Sequence, residues 1–155
     1  MTNPKYSPGM TLVEVMVVIA IIAVIAAVAY PVYTGSLQKA RRADAKTALA
    51  ELAQLEENFY VNGNVYTTSF STLFGNATGK YGFTIQGNNL LSKEGYYLIS
   101  FPDDKNTKLN RNFTLQAEPV ASEAQAGDTN CKRFEINAIG QKEAWDADGN
   151  QSDDC

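Results

Sequence analysis

Histidine is absent from this 155-residue chain, which excludes His-based catalytic triads and histidine zinc sites. Cysteine is almost absent as well. Cys131 and Cys155 are the only two, and their separation fits neither a CxxC redox pair nor a metal knuckle. No glycine-rich loop has phosphate-binding spacing, and nothing gathers the acids into a catalytic pattern. The chain therefore reads as a non-enzyme with no cofactor. Positive charge is in the minority too: 13 Lys and Arg face 17 Asp and Glu, for a formal net charge of −4 and an isoelectric point near 4.8. A free nucleic-acid binder shows the opposite balance, so the composition disfavours DNA as a partner.

Charge is missing most completely from one stretch. Residues 15–30 hold no charged or strongly polar side chain, and Pro31, Val32 and Tyr33 prolong the run. The remainder is polar and rich in Asn, Thr, Gly and Tyr. It leaves about 90 to 100 residues for a folded domain, a size whose thin core gains from a covalent staple. Cys131 and Cys155 offer one. Bridged, they close a loop of about 25 residues and stabilise by about 3–4 kcal/mol, in an oxidising compartment. Two inert free thiols are the alternative.

Three readings compete for the N-terminal stretch. A secretory signal peptide would use Lys5 as its positive region and Ala27-Val28-Ala29 as its cleavage site, but Glu14 stands where the apolar core should begin. A plain membrane anchor fits the length, since residues 10–33 span about 36 Å as a helix. Lys39, Arg41 and Arg42 beyond it favour a cytoplasmic C-terminal side, against the disulfide, and Glu14 is left without a partner. A cut between Gly9 and Met10 supplies one. The freed amine of one molecule can pair with Glu14 of a neighbour when such helices pack with an axial offset, so two costly charges become a register device.

Gly9-Met10-Thr11-Leu12-Val13-Glu14, followed by the long apolar run, resembles the cleavage and methylation motif of type IV pilins and the related pseudopilins. The resemblance implies a leader of residues 1–9, cut by prepilin peptidase after Gly9 on the cytoplasmic side, and N-methylation of Met10, where Phe is commoner. Lys5 agrees with the short basic leader. Pro31, with Tyr30 and Tyr33, looks like the end of the membrane segment. The family further implies an extracytoplasmic head despite the basic cluster. Its fold is α+β, a long N-terminal α-helix packed on an antiparallel sheet of about four strands.

Beyond Gly35, Leu37, Ala45, Ala48, Leu49, Leu52, Leu55 and Phe59 recur at helical steps. Lys39, Arg42, Lys46, Glu51 and Glu56 read as polar neighbours, and Asn62-Gly63-Asn64 as the stop. One helix over residues 10–61 follows, membrane-facing over 10–33 and one-sided over 34–61. Pro31 predicts a kink, with Gly35 loosening the same region. The stretch RRADAKTALAELAQLEENFYVNGNVY, together with Tyr96-Tyr97, Gln125 and Asp128, is similar to PilE-type minor pilins. Arg41, Arg42 and Asp44 are candidate subunit contacts, against a reading as ordinary solvated helix surface.

Residues 62–155 form the head. Residues 65–79 read as a loop tacked to the helix by Phe70, Leu73 and Phe74. Strand character then appears over 80–86, 95–101, 112–119 and 131–140, with turns at Gly87-Asn88-Asn89 and Pro102-Asp103-Asp104. An antiparallel meander with one face on the helix satisfies both partners. Asp146, Asp148 and Asn150 alternate like calcium ligands, though Gly149 is misplaced and no closing Glu follows; a solvated acidic tail is the default. Lys132, Arg133 and Lys142 are the one head patch worth testing for nucleic acid. The sequons Asn76-Ala77-Thr78 and Asn112-Phe113-Thr114 carry no role.

The expected function is that of a minor pilin in a type IV pilus, supporting biogenesis, twitching motility and adhesion. Its partners would be other major and minor pilins, prepilin peptidase, the inner-membrane assembly machinery and, before assembly, the lipid bilayer. It would sit in the inner membrane with an extracytoplasmic head, then in the extracellular pilus. A major pilin, a secretion-system pseudopilin, a DNA-uptake pilin and a membrane-tethered binding module are the alternatives.

Overall fold

The computed structural model describes residues 9–75, 80–102, 111–153 and 155. Lys5, the Asn76-Ala77-Thr78 sequon, Asp103, Asp104 and the tail residue Asp154 lie outside them. The chain divides into two compact units, Met1–Leu37 and Gln38–Cys155.

Helix α1 (Leu12–Gly63) carries Pro31 inside it. Pro31 has no amide to donate, so one carbonyl of the preceding turn loses its ladder partner. Just beyond, the hydroxyls of Thr34 and Ser36 donate to the carbonyls of Pro31 and Val32, at 3.0 Å each. In the first unit Leu12, Ile19, Val24 and Val28 are all exposed. The helix contains a window of mean hydropathy 3.0, long and apolar enough to cross a membrane. Asn64 closes the helix in the left-handed region, at φ 55°, and its amide donates back to the Tyr60 carbonyl. Asparagine tolerates that conformation.

In the second unit the helix buries Arg42, Ala45, Ala48, Leu49, Leu52 and Glu56. Arg42, Ala45, Leu49, Leu52 and Glu56 advance by alternate threes and fours, one continuous inward stripe. The stripe is apolar in its middle and charged at both ends, so Arg42 and Glu56 are not the surface neighbours that their polarity predicts.

The stripe rests on a six-stranded antiparallel sheet in the order β1-β2-β3-β4-β5-β6. The strands are β1 (Thr84–Gln86), β2 (Asn89–Leu91), β3 (Tyr97–Ser100), β4 (Thr114–Pro119), β5 (Arg133–Asn137) and β6 (Lys142–Trp145). Registers align Ile85, Leu90, Ile99, Ala117, Phe134 and Ala144 in one row across the whole sheet. Four of these are at most 3% exposed, and all six belong to the core or pack against it. Burying each large apolar side chain contributes about 2 kcal/mol, and Phe70, Phe74, Phe83 and Phe113 extend the core.

The sheet has two strands more than the sequence suggests. β2 is only three residues long, and its Asn89 reads as turn. β6 has one core-directed apolar residue, Ala144, so no alternation announces it. Residues Lys80–Gly82 form a 3-10 turn ahead of β1, with Tyr81 at φ 59°, and not the start of a strand. A short helix α2 (Phe70–Leu73), capped by the Ser69 hydroxyl, occupies the expected loop. The Cys131–Cys155 disulfide is formed.

Candidate functional site

At the start of α1, Gly9, Met10 and Thr11 lie outside the helix. The Thr11 hydroxyl accepts the Glu14 amide at 3.2 Å. Thr11-Leu12-Val13-Glu14 thus has the spacing of a helix-capping box. The Gly9–Met10 peptide bond consequently sits in non-helical chain two residues before α1, and Met10 is exposed.

Lower on the head, a buried polar cluster clamps α1 to the β4–β5 connection. The Arg42 guanidinium grips Asp128 with two bonds, Nε to Oδ2 at 2.7 Å and Nη2 to Oδ1 at 2.9 Å. Gln125, fully buried, donates to Asp128 Oδ2, the Tyr97 hydroxyl and the Gln38 carbonyl. The Cys131 amide also donates to Asp128. Arg42, expected at a subunit contact, is therefore occupied inside its own chain, where only 5% of it is exposed. Asp44 accepts from the Ser92 hydroxyl at 2.6 Å, and Arg41 lies 4.6 Å over the Tyr96 ring. The Lys46 ammonium reaches the Cys155 carbonyl.

Because the sheet is a meander, its connections alternate between two edges. The β2–β3 and β4–β5 connections share the lower edge with Gln38. The β1–β2 and β5–β6 turns and the β3–β4 connection share the upper edge, where α1 ends and Tyr66 packs on Phe113 with ring centroids 5.0 Å apart. Gly87, at φ 61°, opens the two-residue β1–β2 turn as glycine does in the hairpin turn that needs positive φ at its first position. A cleft of about 610 Å³ lies here, lined by Thr68, Ser69, Ser71, Asn88, Asn89 and Phe101 among others. Its polar groups are neutral hydroxyls and amides.

Charged side chains occur on both edges: on the upper one Glu57 accepts from the Tyr66 hydroxyl at 2.9 Å and Glu143 from the Gln141 side chain at 2.8 Å. Residues 136–142 contain no acid and one lysine, and Lys142 and Arg111 are exposed at the upper edge. Asp146 and Asp148 follow β6 on the lower side, where the Ala147 amide donates to the Thr129 carbonyl. Asp146 is tied up in its own loop: Oδ1 accepts the amides of Asn150 at 2.8 Å and Asp148 at 3.0 Å. The Asn150 amide leads in holding its pKa below the usual carboxylate value. The turn engages the Asp146 carboxylate, and no group of three or more candidate ligands occurs among the described residues.

The structure separates the three basic candidates. Lys132 donates to the Ala126 carbonyl at 2.7 Å. Arg133 stacks 4.4 Å over the Trp145 ring and lies 3.3 Å from Glu135. Both belong to the lower half of the sheet. Lys142 pairs with Ile136, three residues along β5 from Arg133, or about 10 Å. Arg111 has no sequence signal to mark it. Asn137 and Gly140, three apart between apolar strands, are a turn signature that the reading of 131–140 as one strand passed over.

Glu56 closes the upper end of the helix stripe. Its Oε2 accepts the Thr67 amide at 3.0 Å, while Oε1 finds no partner among the described residues. Burial pushes its pKa up to about 7, opposed by the Thr67 hydrogen bond and assisted by neighbouring Glu57. The inward heptad phase was the signal that would have found it.

The sequence model of a family described as "Type IV minor pilin ComP, DNA uptake sequence receptor" matches residues 31–135. A prokaryotic N-terminal methylation motif matches residues 4–30. No curated protein matches the chain. The first match overturns two expectations. The relationship to PilE-type minor pilins gives way to one with the ComP type. The argument against DNA fails as well: the matching family is described as a DNA uptake sequence receptor, and a net charge is an average that says nothing of one local surface.

Proposed function

The chain belongs to the ComP family of type IV minor pilins, and we propose that its head captures double-stranded DNA during uptake, with the upper edge of the sheet as the contact surface. The family is a structural one without a catalytic domain. The observation that carries the reading is the match over residues 31–135, which includes most of the head. The exposed upper edge supports it. Arg111 and Lys142 supply phosphate contacts, while the exposed Asn88 offers an amide group that can read a base edge.

Processing and assembly follow the N-terminal motif. The peptide bond between Gly9 and Met10 is cut in its non-helical segment, Met10 is N-methylated, and the anchored helix enters the filament with its amine against a neighbour's Glu14. Before assembly the head stands outside the inner membrane; afterwards it is displayed on the pilus. Presentation of DNA replaces twitching and adhesion as the leading task.

The test is duplex binding by the detergent-solubilised mature chain, measured against salt. Each phosphate contact contributes about 0.9 to the slope of log K on log salt. Arg111→Ala with Lys142→Ala should lower the slope by about 2 and weaken all sequences alike. Unchanged slope and affinity would remove the upper edge from the interface.

A further inference from the structure

The β5–β6 turn presents one large apolar side chain to solvent. Ile139 is 84% exposed, the most exposed of the large hydrophobic residues described. The turn that carries it is fixed from beneath. The Asn137 side-chain oxygen accepts the amides of Ile139 at 3.2 Å and Gln141 at 3.0 Å. The Gly140 amide donates to the Asn137 carbonyl at 2.9 Å, and the Ala138 amide to the Phe113 carbonyl at 3.1 Å. Gly140 takes φ 77°, the left-handed position that completes such a three-residue connection. An isoleucine on a loose loop would fold back over the nearby core; this one is held away from it.

Its sequence neighbours are compatible with a nucleic acid. Lys142 follows and residues 136–142 hold no acid, while the Gln141 side-chain amide donates to Glu143 at 2.8 Å and so occupies the nearest carboxylate. An apolar protein partner would favour a broader patch, whereas Ala138 and Gly140 leave Ile139 as a single narrow projection. Proteins that deform DNA use this device: an apolar wedge enters a base step, unstacks it and bends the duplex.

We propose that Ile139 is a wedge that inserts into a base step of bound duplex DNA from the minor groove and kinks it. The inference rests on the DNA-capture reading and deepens it, because the turn lies beyond the residues that match the family. Unstacking is cheapest at pyrimidine–purine steps and dearest in stiff A-tracts, so the wedge makes deformability part of recognition.

The experiment uses the full mature chain in detergent and end-labelled duplexes of about 20 base pairs, with a central TA step or an A-tract. Energy transfer between the ends reports bending. Wild type should bend the TA duplex and bind it about tenfold tighter than the A-tract. Ile139→Ser should still bind, with the bend lost and that preference erased, whereas Ile139→Leu should retain both. Arg111→Ala should weaken binding but leave the bend at saturation. Ile139 touches no core, so an unchanged melting temperature confirms that Ile139→Ser is folded. Equal bending by wild type and Ile139→Ser overturns the wedge and leaves DNA capture standing. Binding of neither duplex by wild type overturns both.

Discussion

Glu56 ties the stability of the head to pH. Its carboxyl is fully buried, accepts one hydrogen bond from Thr67, and has its pKa pushed up to about 7 from a reference of 4.5. The folded state therefore holds the proton more tightly than the unfolded chain. The stabilisation is complete below about pH 4.5 and is lost as pH rises through 7, because an ionised carboxylate must then stay buried. Integrating proton binding in the two states gives a loss of about 2.5 kcal/mol between pH 5 and pH 8. For a head of this size that is about 10 °C in melting temperature.

Glu56→Gln keeps an oxygen for the Thr67 amide and removes the titration. It should be nearly neutral at pH 5 and stabilising by about 2–3 kcal/mol at pH 8. Denaturant unfolding of the full chain in detergent, followed by Trp145 fluorescence, measures both. Glu57→Gln is the control: it removes the neighbouring charge that adds to the shift and should recover only a small part. A Glu56→Gln effect of the same size at both pH values would show that the carboxyl does not titrate in this range, and the reasoning would fail.

Two further outcomes are expected. Arg42→Ala should destabilise by about 3–5 kcal/mol by leaving Asp128 buried without its counter-ion, while Arg42→Met with Asp128→Leu should cost far less; thermal melts of the three proteins compare them. Glu14→Ala should preserve membrane insertion yet reduce the amount of chain in sheared fibres, read by immunoblot, and normal amounts would remove Glu14 from filament register.

Legibility in the sequence follows the physics of each part. The membrane run, the cleavage motif and the helix stop rest on local composition, and local composition can be read. β3, β4 and β5 announce themselves by alternation. β2 is too short to alternate, and β6 lies at an edge where only Ala144 must be apolar. Arg42 and Glu56 were misplaced because polarity was allowed to outweigh phase. Their positions continue the inward stripe, and a helix geometry that points Ala45 and Leu52 at the sheet leaves these two no other direction.

The edge proposed to bind DNA was illegible for a different reason. Lys132, Arg133 and Lys142 lie within a dozen residues of one another, yet antiparallel pairing sends the first two toward one end of the sheet and the third toward the other. Arg111, remote in sequence, comes to the same edge as Lys142 because the β3–β4 connection and the β5–β6 turn share it. A meander brings alternate connections together, so a surface built from them collects residues that no sequence window contains. A chain of net negative charge can in this way bring Arg111, Lys142 and the Asn88 amide to one rim.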